Sequence, residues 1–165
     1  MTSQPTSCQR EVFELKIIVD GDACPVKSEI IATARIFSTP VCMVASFDHR
    51  LPQVEGVETV QVDRSSQSAD MFIANKVKAG DLVITQDFGL ACLAIAKHAY
   101  TLSFRGETYT DDNIDYLLER RAEFAKRRRQ GARTKGPRPL TDDDRKRFQQ
   151  NLTKLLQEKQ EKREV

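Results

Sequence analysis

Four aspartates carry the chemistry that this sequence offers. Asp20 and Asp22 flank Gly21 directly after the apolar run Leu15-Lys16-Ile17-Ile18-Val19. Asp87 follows a second such run, Leu82-Val83-Ile84-Thr85, and Asp70 stands at the start of a helical stretch between the two. Carboxylates brought together repel one another unless a cation neutralises them. An all-oxygen donor set suits hard divalent ions, so the expected cofactor is Mg²⁺ or Mn²⁺. Such an ion activates water and stabilises charge on a phosphoryl group. Each acid also has an ordinary structural use: Asp20 and Asp22 as turn formers, Asp22 as a cap for the next helix, Asp70 as a first-turn acid on a helix dipole, Asp87 as a cap near Phe88. The strand-end placement of Asp20, Asp22 and Asp87, with Asp70 opening the helix before the second strand, is what groups them.

The elements that must position these acids read as alternating strands and helices. Leu15–Val19 is short, β-branched and apolar, as a buried strand should be. Pro25 then fits a first helical turn, and Val26, Ile30, Ile31, Ala34 and Phe37 form one apolar stripe that Thr39-Pro40 ends. Val41–Ser46 and Glu58–Val62 read as strands. Ala69–Lys78 reads as a helix with Ser68 as its N-cap, and Leu82–Thr85 as a second strongly buried strand. A helix over Leu90–Ala99 and a last short strand over Thr101–Phe104 follow. This alternation predicts a doubly wound α/β fold, with right-handed crossovers and a mostly parallel sheet covered on both faces. Sites in such sheets gather beyond the carboxyl ends of the strands.

A longer helix begins at Asp111 or Asp112, with Ile114, Leu117, Leu118 and Phe124 on one face. It runs into a basic segment, Arg120 to Arg138, where nine Lys or Arg residues stand against Glu123 alone. The net charge of the whole chain is only +2, so the remainder is acidic, and the basic segment is a footprint for a polyanion. Phe124 is the one aromatic within that segment, so base stacking is not expected there. Thr141 and Asp144 resemble a capping box, and Phe148, Leu152, Leu155 and Leu156 form an amphipathic stripe. That stripe must pack within the chain or against a second copy, which leaves open a homo-oligomer formed through the C-terminal helix. The expected organisation is a flexible tail over 1–14, an α/β domain over 15–129, and a basic linker with an amphipathic helix over 130–165.

No apolar run approaches the roughly 20 residues needed to span a bilayer, and the polar stretch Met1–Arg10 is no signal peptide. No membrane association and a cytoplasmic location are the expectations. Cys8, Cys24, Cys42 and Cys92 are scattered without a Cys-x-x-Cys pair, and His49 and His98 are the only histidines. Neither a zinc site nor a Ser-His-Asp or Cys-His centre is expected, and no Gly-rich phosphate loop is present.

Several stretches together resemble the bacterial YaiI/YqxD family. They are Asp20-Gly21-Asp22-Ala23-Cys24-Pro25-Val26-Lys27, Ser68-Ala69-Asp70, Thr85-Gln86-Asp87 with Gly89-Leu90-Ala91, and Arg133-Thr134-Lys135-Gly136-Pro137-Arg138-Pro139. The resemblance runs from about Leu15 to Leu156. More distantly, the pattern is similar to PIN and NYN domains, metal-dependent ribonucleases of doubly wound α/β type. There one acid ends the first strand, a mid-chain helix supplies a second, and a later strand leads to a third. That likeness implies Asp20, Asp70 and Asp87 as metal ligands, with Asp22 binding metal or positioning water. Many PIN relatives carry Glu where this chain has Asp70.

The resulting expectation is a metal-dependent nuclease acting on nucleic acid, RNA above all, with Arg127, Arg128, Arg129, Arg133 and Lys135 contacting phosphates. Two alternatives remain at this stage. Val19-Asp20-Gly21-Asp22 also fits the first motif of haloacid-dehalogenase-like phosphatases, with Asp20 as nucleophile, although Cys24 stands where those enzymes carry Thr or Val. The other is a non-catalytic RNA-binding or regulatory module.

Overall fold

The computed structural model describes residues 15–22, 24–46, 53–63, 66–131 and 139–163. Its strands are β1 (Ile17–Asp20), β2 (Val41–Ser46), β3 (Val57–Val62), β4 (Leu82–Ile84), β5 (Tyr100–Leu102) and β6 (Thr108–Tyr109). They form one sheet in the order β3-β2-β1-β4-β5-β6. The first five run parallel and β6 pairs antiparallel with β5. The helices are α1 (Lys27–Ile36), α2 (Ser66–Lys76), α3 (Phe88–Ala96), α4 (Asp111–Arg129) and α5 (Asp142–Arg163). This is the doubly wound α/β architecture that the alternating pattern predicts.

Side-chain alternation along the strands divides the core into two layers. Ile17, Val19, Met43, Ala45, Leu82 and Ile84 face α1 and α5, whereas Ile18, Cys42, Val44 and Val83 face α2 and α3. On α1 the expected stripe is present, with Val26, Ile30 and Ala34 buried and Ile31 and Phe37 packed at its margin. A third, smaller cluster of Ala91, Tyr109 and Ile114 joins α3 to α4.

The stripe on α5 packs within the chain. Phe148, Leu152 and Leu156 lie in the same cluster as Leu15, Ile17 and Leu102, so this face is spent on the chain's own core. The capping box forms as expected: the Asp144 carboxylate accepts the Thr141 backbone N–H at 3.0 Å, and Thr141 Oγ1 accepts the Asp144 backbone N–H at 3.1 Å. Asp144 is 2% exposed. It also takes a 2.8 Å ion pair from Arg105, which ties α5 to the β5–β6 turn.

Three local expectations are corrected. α2 begins at Ser66, so Ser68 lies inside its first turn, where backbone N–H groups need no helical partner. β5 is followed by β6, whose two residues are too few to show any alternation. Asp81 is buried, and its carboxylate accepts the backbone N–H groups of Lys16 at 3.2 Å and Lys78 at 2.9 Å. Phe124 does not join Ile114 on the packed face of α4 but stands exposed.

Gly106, in the β5–β6 turn, has φ +87°, and a Cβ there would lie 3.0 Å from the Phe148 backbone. Gly56 has φ +82° with open space around it. Gly106→Ala is therefore expected to destabilise the protein by roughly 2–3 kcal/mol, combining left-handed strain with overpacking, and Gly56→Ala by about 1–2 from strain alone. Urea denaturation of both variants checks this; equal losses would show that the Phe148 contact is immaterial.

Candidate active site

Parallel topology delivers the acids to one place. Each loop that leaves a parallel strand, and the first turn of the helix it enters, lies on the carboxyl side of the sheet. Asp20 ends β1, Asp22 follows in the β1–α1 loop, Asp70 lies in the first turns of α2, and Asp87 follows β4. β1 and β4 are neighbours, and between them the strand order reverses, with β2 and β3 on one side and β5 on the other. The acids thus stand at the topological switch point.

Thr85 joins two of them. It is fully buried, its hydroxyl lies 3.2 Å from Asp20 Oδ2 as donor, and its Oγ1 accepts the Asp87 backbone N–H at 3.0 Å. The Asp87 carboxylate in turn accepts the backbone N–H groups of Gly89 at 2.8 Å and Leu90 at 3.2 Å, so it does cap α3. Asp22 does not cap α1, whose N-cap is Val26 without a side-chain bond. Its carboxylate instead accepts the backbone N–H of Ser46 at 2.9 Å and the Ser46 hydroxyl at 3.2 Å, anchoring the loop to the end of β2.

The electrostatics show that the four share one field. Burial raises the Asp20 carboxyl above its ordinary value, the Thr85 hydrogen bond opposes this, and the charges of Asp22 and Asp87 add to the rise. Asp70 is pushed up to about 6, first by burial, then by the charge of Asp87 and a hydrogen bond with it, and further by Asp20 and Asp22. Asp70 therefore keeps its proton under mildly acidic conditions.

Asp20, Asp70 and Asp87 fit a hard divalent ion in donor chemistry: all are carboxylates, and the charges of Asp87 and Asp20 already disfavour a bare anion at Asp70. Among the described residues, no three Asp, Glu, His or Cys side chains are already gathered as a metal-holding group.

The basic helix borders this site. Arg121 Nη1 is 3.9 Å from Asp87 Oδ1, which sets the middle of α4 beside the acids. Arg127, Arg128 and Arg129 fill the last turn of α4, and Arg127 also pairs with Glu123 at 2.8 Å across an exposed turn. At 1.5 Å per residue, that turn begins about 9 Å along the axis from Arg121. Arg133 and Lys135 fall outside the described residues. Cys24 and Cys42 are buried free thiols. A cleft of about 520 Å³ lies at the opposite edge of the sheet beside Arg35, Pro40, Glu55 and Val57, away from the acids.

Sequence reasoning missed Thr85, Ser46 and Arg121. The available signal was a hydroxyl residue closing an otherwise apolar strand, at both Ser46 and Thr85. Arg121 had no signal beyond membership of the basic run.

A doubly wound α/β domain with an acidic switch point is thus the class that fold and site define. The chain belongs to the YaiI/YqxD family: it matches the family described as "Uncharacterized BCR, YaiI/YqxD family" over residues 18–158. It is similar to a UPF0178 protein of Listeria monocytogenes serotype 4b, 44% identical over 144 residues, covering 87% of this chain and 99% of the relative. A UPF0178 protein of Bacillus pumilus is 45% identical over 144 residues, covering 87% of each chain. Another, of Bacillus cereus, is 47% identical over 136 residues, covering 81% of this chain and 93% of the relative. No solved structure gives a significant match. Among the described residues, no helix is long and apolar enough to cross a membrane.

Proposed function

We propose that the protein is a metal-dependent phosphodiesterase acting on nucleic acid, with RNA as the expected substrate. The observation that carries this reading is the placement of Asp20, Asp22, Asp70 and Asp87 at the switch point, where burial first and then the charges of Asp87, Asp20 and Asp22 raise Asp70 to about 6. Four carboxylates held in mutual repulsion lower stability, and a site of that kind is retained for ligand chemistry more readily than for packing. The resemblance of the three principal acid positions to PIN and NYN domains supports the same reaction class.

Asp20, Asp70 and Asp87 would hold Mg²⁺ or Mn²⁺, whose positive charge activates water and steadies phosphoryl oxygens. Thr85 orients Asp20 and the backbone before Asp87, and the α3 N-terminus fixes the Asp87 carboxylate. Asp22, held on Ser46, is placed to bind metal or orient water. The last turn of α4 would meet flanking phosphates.

The test is cleavage of varied single-stranded and duplex RNA and DNA with Mn²⁺, with Mg²⁺ and with chelator. Divalent-dependent cleavage is the expected result. No cleavage of any substrate, or a phosphoryl group trapped on Asp20, would overturn the proposal.

A further inference from the structure

The flank of α4 carries an arrangement that the basic run alone did not disclose. Tyr116, one turn before that run, is 60% exposed, and Phe124 is 41% exposed. Between them lies Arg120, whose guanidinium carbon is 5.8 Å from the Tyr116 ring centroid and 5.9 Å from that of Phe124. Tyr116, Arg120 and Phe124 recur every four residues, so each lies one turn beyond the last, and Arg127 and Arg128 continue the series. Three flat groups thus line one flank of a helix, followed by cations. Tyr116 lies before the Arg120–Arg138 segment, in which Phe124 is the one aromatic.

We propose that this flank of α4 is a docking surface for single-stranded nucleic acid, with bases stacking on Tyr116 and Phe124 and phosphates meeting Arg127 and Arg128. The proposal rests on the phosphodiesterase reading for its link to the acids and adds the form of the substrate. Aromatic faces exposed beside cations suit a polyanion that presents flat rings, and an unpaired strand does so. A duplex keeps its base faces inside its own stack, so it can use the cations but not the rings. Four helical residues advance about 6 Å, which sets Tyr116 and Phe124 about 12 Å apart along the axis with Arg120 between them, so each ring can receive its own base. The Arg120 guanidinium, within 6 Å of both ring centroids, adds a cation–π contribution. Glu123 opposes Arg127 only through an exposed pair, which a phosphate can displace. Arg121, about 100° round the same helix from Arg120, reaches Asp87, so the acids border the neighbouring face of α4.

The chain contains no tryptophan, so Tyr116→Trp installs a lone fluorescent reporter on the full-length protein. Binding is read in chelator, where no divalent ion supports cleavage, with three probes: a short single-stranded RNA of mixed sequence, its duplex, and heparin as a polyanion without bases. Quenching of the reporter by the single strand alone is the expected result. Tyr116→Ala and Phe124→Ala should each weaken single-strand binding about tenfold or more and leave heparin binding unchanged. Arg127→Gln with Arg128→Gln should weaken both. Absence of quenching, equal quenching by duplex, or parallel losses for RNA and heparin would overturn the proposal, as would stronger ring-dependent binding of polyglutamate. A failure of divalent-dependent cleavage overturns the phosphodiesterase reading and not this binding, while loss of ring-dependent binding with cleavage intact overturns only the docking surface.

Discussion

Replacing Asp70 by asparagine is expected to lower divalent-dependent cleavage at least about a hundredfold, a loss of roughly 3 kcal/mol of transition-state stabilisation, while making the metal-free protein more stable. Asp70 is an acid whose folded-state value, about 6, lies above its ordinary 3.8. Below 3.8 the carboxyl is protonated in both folded and unfolded chains, and the stability it contributes is fully present. Between those two values the unfolded chain releases its proton while the folded one retains it, so stability falls as pH rises. Above about 6 the loss is complete. Asparagine removes the titration, and at neutral pH the variant should gain on the order of 1 kcal/mol once solvent screening of this half-buried group is allowed for. Thermal unfolding in chelator at pH 4 and pH 7.5 reads the effect: the variant should match the parent at the lower pH and exceed it at the higher. Added Mn²⁺ should raise the parent's Tm more than the variant's. Parallel pH profiles would show that the four acids do not share a field.

Phe148→Ala should cost about 3–5 kcal/mol, a large part of the total stability of a domain of this size. Phe148 is 0% exposed and packs among Leu15, Ile17 and Leu102, with its backbone against Gly106. Truncation leaves a cavity that the sheet cannot close, because the strands on that face are already fixed by hydrogen bonds on both edges. The loss should appear as a lowered urea midpoint with unchanged slope, and α5 amides should exchange earliest. A loss below 1 kcal/mol would show α5 to be an appendage rather than part of the core.

These two residues differ in how far the sequence announces them. Asp70 was singled out because it begins a helix between two acid-terminated strands. Phe148 was recognised only as part of a stripe that needed a partner, and nothing in the local pattern said whether that partner was internal. Likewise Asp22 looked equally suited to capping α1 or to a site. The structure assigns it to Ser46, 24 residues away.

The sequence by itself determined the strands, the helices and their alternation, because β-branched apolar runs and 3.6-residue stripes are local signals of burial. It also placed Asp20, Asp22, Asp70 and Asp87 at the ends or beginnings of those elements, and parallel topology then allows only one edge of the sheet for them. The strand order that makes β1 and β4 neighbours, the Thr85 bridge between Asp20 and Asp87, the seating of α5 and the flank shared by Tyr116, Arg120 and Phe124 were decided by tertiary structure. Each depends on which apolar faces are covered at the same time, a condition on the whole chain rather than on any short stretch of it.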